Sequence, residues 1–120
     1  MSKRVLVTGS RHWTDRNTIE SALESVRKHF GDETVLVHGN CPTGADSIAS
    51  TLWQSWGLQH EPHDADWNSH GKKAGPIRNV EMVNSSIDLC LAFPLGNSRG
   101  TQHCMREAAK ANIPTFVFDG

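Results

Sequence analysis

The chain has 120 residues, enough for one hydrophobic core and too few for two. Lys and Arg number 12 against 13 Asp and Glu, a formal net charge of −1, which argues against a broad cationic surface for nucleic acid. No run of about 18 apolar residues is present to span a membrane, and the first residues lead into Val5-Leu6-Val7 without a signal-peptide stretch.

Three cysteines, Cys41, Cys90 and Cys104, are odd in number and lack CxxC spacing, so reduced thiols in a cytoplasmic protein are expected. Hydrophobic residues make up 37% of the chain and are gathered into short runs rather than scattered, which marks a folded domain.

The first expected strand covers residues 4–8, and others follow at 34–38, 58–63, 88–93 and 114–118. Val35-Leu36-Val37 and Leu89-Cys90-Leu91-Ala92-Phe93 are continuously apolar, as in strands of a parallel sheet covered on both faces. The run around His60-Glu61-Pro62-His63 is polar and contains proline, which places it at a sheet edge.

Helix-period segments lie between these runs. Ile19, Ala22, Leu23, Val26 and Phe30 form one stripe, with Asn17 or Thr18 as the expected cap and Gly31 at the end. Ile48, Ala49, Leu52, Trp53 and Trp56 form a second stripe closed by Gly57, with both tryptophans expected in the core or at a subunit interface. Pro76 is expected to open a third helix with Ile77, Val80 and Val83 on one side, and residues 101–112 form a fourth. The alternation implies a single doubly wound, Rossmann-like three-layer α/β/α domain over residues 1–120, with a mainly parallel five-stranded sheet. Residues 64–75 are expected to be a ligand-covering loop.

Ligands of doubly wound sheets bind beyond the carboxyl ends of the strands, where strand order reverses. Three Gly-rich segments belong there: Gly9-Ser10-Arg11, Gly39 through Asp46, and Gly96 through Thr101. Such turns expose backbone N–H groups near helix starts and favour a phosphate or carboxylate. Arg11, Arg16, Lys72, Lys73, Arg78 and Arg99 lie in or beside these segments, so a near-neutral chain is expected to gather positive charge at one end of its sheet.

Neither GxGxxG after the first strand nor GxxxxGK[ST] is present, which excludes the common dinucleotide and P-loop signatures. Asp46 either satisfies backbone donors at its helix start or accepts from a ribose diol. Trp13 and Trp67, in polar surroundings, either stack on a nucleobase or cover the core edge. His60 and His63 lack a third ligand, so no metal is expected, and Cys104 has no neighbouring base that would make it a nucleophile.

Val5 through Arg11, His38-Gly39 with Gly44-Ala45-Asp46, Ala65-Asp66-Trp67, and Gly71-Lys72-Lys73-Ala74-Gly75-Pro76-Ile77-Arg78-Asn79 together resemble the YspA-like, cpYpsA-related branch of the SLOG superfamily. Ala92-Phe93-Pro94, Gly96 and Gly100-Thr101 extend the resemblance over nearly the whole chain. The wider superfamily includes LOG-type phosphoribohydrolases, DprA-type DNA-binding proteins and sensors of nucleotide-derived signals.

The resemblance implies that Gly9, Ser10 and Arg11 floor a pocket, while Gly39, Gly44 and Asp46 hold ribose or phosphate. Gly96, Gly100 and Thr101 match a phosphate loop, in which the Asn97-Ser98-Arg99 stretch is longer, and Arg99, Trp67, Lys72, Pro76, Arg78 and Asn79 complete the expected ligand-facing set. Arg78 falls near the catalytic arginine of LOG enzymes. Leu95 replaces the first glycine of their phosphate loop, and Cys104 stands where they carry a catalytic glutamate.

The function expected is binding of a phosphorylated nucleoside, or an ADP-ribose-like molecule, as a sensor, regulator or sequesterer. The alternative is N-glycosidic hydrolysis by Arg78 with Asp46 or Glu81. A homodimer or higher oligomer is the expected assembly, with no separate cofactor and no nucleic-acid or membrane partner.

Overall fold

In the computed structural model, which describes residues 2–119, five strands form one all-parallel sheet in the order β3-β2-β1-β4-β5. Met1 and Gly120, included in the expected domain, lie outside the described residues. The strands are β1 (Arg4–Gly9), β2 (Val35–His38), β3 (His60–Pro62), β4 (Leu89–Phe93) and β5 (Thr115–Val117). The helices are α1 (Arg16–Phe30), α2 (Gly44–Ser55), α3 (Trp67–His70), α4 (Ala74–Val83) and α5 (Arg99–Lys110).

Alternating residues of the central strand divide the core in two. Val5 and Val7 pack with Ile19, Leu23 and Val26 of α1 and with Ala49, Leu52 and Trp53 of α2. Leu6, on the opposite face, packs with Met82 and Val83 of α4 and with Cys104 and Ala108 of α5. This is the three-layer arrangement that continuous apolar strands require, because both of their faces must leave water. Trp53 is fully buried and gives its indole N–H to the Gln59 carbonyl at 2.8 Å; Trp56 packs against the same core from a partly buried position.

Three local details depart from expectation. Asp15, not Asn17 or Thr18, caps α1: its carboxylate accepts from the Thr18 backbone N–H at 3.2 Å and the Thr18 hydroxyl at 2.6 Å. Asp15 outcompetes Thr18 because it stands outside the helix with two oxygens facing back onto the first turn. The 64–75 stretch is no open loop; it holds α3, a 3₁₀ turn at Gly71–Lys73 and the start of α4. Helix α4 begins two residues before Pro76 and buries Asn79, Met82 and Val83, leaving Ile77 and Val80 half-buried. Pro76 is tolerated there because N–H groups of a first turn have no intrahelical acceptor.

The proline-bearing strand does lie at the edge, with Pro62 in register with His38. At the other edge, Phe116 and Val117 of β5 are exposed. Among the described residues no helix is long and apolar enough to cross a membrane.

Candidate functional site

Strand order reverses between β1, which continues to β2, and β4, which lies on its other side. Their carboxyl ends meet where Gly9 is in register with Phe93 and the Ser10 N–H bonds the Phe93 carbonyl at 2.9 Å. Beyond this point opens a cleft of about 350 Å³.

The floor is built by close approach of two turns. The Ser10 carbonyl accepts from the Ala45 N–H at 3.0 Å, and the Thr43 hydroxyl donates to the Arg11 carbonyl at 3.0 Å. Gly44 makes this contact possible. Its φ is +76°, and a Cβ there would overlap the Ser10 carbonyl oxygen and Arg11 Cα.

Asp46, in the first turn of α2, is buried and lines the cleft. One oxygen, Oδ2, accepts from the backbone N–H groups of Gly39 at 3.2 Å and Cys41 at 3.4 Å. The other, Oδ1, is buried without a hydrogen-bond partner. Burial pushes the carboxyl up to about 6, against the pull of those donors and of the Arg78 guanidinium. An orphaned buried carboxylate oxygen costs stability unless something supplies it a donor.

Arg78, on α4, turns its guanidinium into the same wall. Nη1 donates to the Gly39 carbonyl at 2.7 Å and more weakly to that of His63 at 3.4 Å, while Nε donates to Asn79 Oδ1 at 3.0 Å. Among the described residues Nη2 makes no hydrogen bond. Asn79 is buried and its amide reaches the Gly100 carbonyl at 3.2 Å and His103 at 3.3 Å, tying α4 to α5.

The opposite wall is the start of α5. Ser98 precedes the helix without capping it; its hydroxyl donates instead to the Leu95 carbonyl at 2.9 Å. Arg99, Gly100 and Thr101 therefore line the cleft with first-turn N–H groups that no side chain caps, and the helix dipole adds partial positive charge there.

The structure brings together Gly9, Ser10, Arg11, Gly39, Asp46, Arg78, Asn79, Arg99, Gly100 and Thr101. Gly44 supports the floor from below rather than facing the cleft. Trp67 faces an adjoining chamber, shared with Arg11, Gly39, Cys41 and Arg78. Glu81, Lys72, Pro76 and Gly96 are exposed and line neither space. Glu81 drops out because the α4 residues facing the cleft are Arg78, Asn79 and Met82, and Glu81 falls between those positions on the solvent side. Of the six expected cations, only Arg11, Arg78 and Arg99 reach the cleft; Arg16, Lys72 and Lys73 do not line it.

Trp13 belongs to the core. It is 2% exposed, meets Phe93 edge-on at 5.4 Å and gives its indole N–H to the Asp15 carbonyl at 2.8 Å. Cys104 is likewise a core residue whose thiol burial pushes up to about 11, so no acid–base group replaces the absent glutamate at that position. Thr8, His12, Cys41 and Asn97 also line the cleft; the last three fall in or beside the expected Gly-rich segments, but their sequence pattern does not single them out as ligand-facing. Thr8 is the penultimate residue of β1 and Asn97 lies just before α5, positions that the strand-end rule already marks. A larger hollow, about 760 Å³ between α1 and β4–β5, lies elsewhere; no Lys, Arg, Asp or Glu is among the described residues that line it.

Residues 3–70 match the model of the YspA, cpYpsA-related SLOG family. The gene 61 protein of Mycobacterium phage D29 is 53% identical over 125 residues, covering 97% of this chain and 96% of that protein. The C-terminal domain of a hydrogenase from Pyrococcus furiosus has a similar fold, with a TM-score of 0.52 at 16% identity over 98% of this chain and 94% of that one. That likeness concerns architecture alone, whereas the family match contains Gly9, Arg11, Gly39 and Asp46 of the cleft. On the strength of the sequence match, the chain belongs to the YspA, cpYpsA-related SLOG family.

Proposed function

We propose that the chain binds a phosphorylated nucleoside in the cleft, as a sensing or sequestering module. The observation that carries this reading is Asp46 Oδ1, an acceptor buried without a donor in a residue that lines the same cleft as Arg11, Arg78, Arg99 and the start of α5. A sugar hydroxyl supplies the missing donor, and at neutral pH a carboxyl poised near 6 is mostly ionised and accepts strongly. The phosphate sits at the uncapped start of α5, where Arg99, the free Nη2 of Arg78 and Arg11 add charge-assisted hydrogen bonds.

The test is calorimetric titration with nucleoside monophosphates and with the matching nucleosides. Monophosphates should bind, nucleosides should bind at least tenfold more weakly, and Asp46→Asn should weaken the monophosphate by a further tenfold or more. Equal binding of wild type and Asp46→Asn would remove the basis of the reading.

One observation favours a second reading, cleavage of the N-glycosidic bond. Asp46 is buried with its pKa near neutrality, as acid–base catalysis needs, and stands beside Arg78. Free base and ribose phosphate released over many turnovers, and abolished in Asp46→Asn, would establish an enzyme; intact ligand recovered after incubation would leave a binding module.

A further inference from the structure

We infer that the chamber beside the cleft is a nucleobase subsite, in which Trp67 is the stacking platform and Asn40 with Asp64 selects bases bearing an exocyclic amino group. The inference rests on the proposed function and extends it from the phosphate and sugar to the base.

Continuity is the first argument. The chamber, about 430 Å³, shares Arg11, Gly39, Cys41 and Arg78 with the cleft, so one molecule can occupy both. A sugar held at Asp46 sits at that shared wall, and its base has the chamber open to it.

The second argument is the state of Trp67. Of the four tryptophans, Trp13 and Trp53 are buried and Trp56 is half-buried, whereas Trp67 is 56% exposed. Its ring is nonetheless positioned. A Cβ on Gly75 would stand 3.6 Å from Trp67 Cη2, so the far edge of the indole rests against the start of α4. Asp66 caps the short helix that carries it, accepting from the Ser69 N–H at 3.2 Å. An indole held by one edge and left open elsewhere is suited to stacking, since every base presents a π-face.

The third argument is the polar edge of the chamber. Asn40 gives its amide N–H to Asp64 Oδ1 at 2.8 Å. This leaves Asn40 Oδ1 and Asp64 Oδ2 with no hydrogen bond among the described residues, and both atoms accept but cannot donate. These two acceptors suit the amino group of adenine, whereas hypoxanthine, whose oxygen there is a further acceptor, is left only the second N–H of the Asn40 amide.

The experiment uses the whole chain, titrated with adenosine monophosphate, inosine monophosphate and ribose 5-phosphate while tryptophan fluorescence is followed. Adenosine monophosphate should quench emission and bind on the order of tenfold tighter than ribose 5-phosphate. Trp67→Ala should remove both effects while leaving ribose 5-phosphate affinity unchanged, and Trp67→Phe should restore much of the affinity without the quench. Inosine monophosphate should bind more weakly than adenosine monophosphate, and Asp64→Asn should narrow that gap. Adenosine monophosphate binding that is indifferent to Trp67→Ala would overturn the subsite while leaving the cleft reading intact. Absence of binding by all three ligands would overturn the cleft reading, and the subsite with it. A melting temperature within a few degrees of wild type verifies that the Trp67 variants fold.

Discussion

Two buried ionisable side chains stand eight residues apart at either end of the β2–α2 turn, and their surroundings are opposite in kind. His38 ends β2 with its needs met. Its Nδ1 accepts from the Asn40 N–H at 3.0 Å, which places the proton on Nε2 for donation to His60 Nδ1 at 2.9 Å. Nearby, Arg4 grips Glu61 through two hydrogen bonds of 2.9 and 2.7 Å, and Glu61 Oε2 also meets His63 at 2.6 Å. Asp46 is buried too but keeps one oxygen without a partner. A satisfied polar network holds a sheet edge in place, whereas an unsatisfied buried group is tolerated where a ligand completes it. The difference separates a satisfied polar region from the candidate site across a single turn.

The largest effect that would break this comparison comes from the turn itself. Gly44→Ala should cost about 3 kcal/mol or more and abolish ligand binding, because the new methyl collides with the β1–α1 turn at an unfavourable φ. Thermal melting together with titration would check it; a variant that melts like wild type would show that the turn yields easily.

Next comes pH. The carboxyl of Asp46 is raised from its ordinary value to about 6, so the folded state holds its proton more tightly and Asp46 favours folding in acid, the contribution fading as pH rises through 6. His38 is lowered to about 4, first by burial and then by His60 and His63, with Asp64 opposing; its neutral form favours folding above about 6.5, a contribution lost as pH falls toward 4. Each displacement is worth about 3 kcal/mol, so the two nearly cancel between pH 4.5 and 6 and leave wild-type stability almost flat there. Asp46→Asn should unmask a loss of about 2 kcal/mol on acidification, and His38→Gln the reverse slope. Denaturant melts across that window read both. Parallel curves for wild type and Asp46→Asn would contradict the assignment.

Asp46→Asn sharpens the contrast in a second way. At pH 7.5 it should raise the melting temperature, since it removes a buried charge, while weakening ligand binding by tenfold or more. The smallest effect belongs to the satisfied network. Arg4→Ala removes the Glu61 pair and the bonds to Ser85, and should cost about 1–2 kcal/mol while leaving ligand affinity unchanged. A change of affinity in that variant would mean that the two regions are coupled.

Sheet and helices were legible because each continuous apolar run needs cover on both faces, and all five expected strands are present with the proline-bearing one at an edge. Glycines and arginines at strand ends likewise marked most of the cleft. Glu81 and Pro76 lie on α4 and Lys72 on the 3₁₀ turn before it; all three are exposed, and because a helix turns about 100° per residue, neighbours of Arg78 along α4 need not share its side. Of the two alternatives open for Trp13, covering the core is the one present: its ring folds back onto Phe93, eighty residues away in a strand that local composition does not connect to it. The orphaned oxygen of Asp46 was invisible in sequence, because satisfaction of a polar atom is a property of three-dimensional neighbours.

The position of β1 between β2 and β4 has a consequence for how the molecule comes to be. Asp46 arrives with the β2–α2 half and Arg99, Gly100 and Thr101 with α5 after β4, and the two halves of the cleft join only when β1 has gained both neighbours. Closing that central seam brings together segments some eighty residues apart, a slow step for a parallel topology. Binding competence should therefore be the last property to appear during refolding, lagging the burial of Trp53, so that the ligand serves as a clock for completion of the fold.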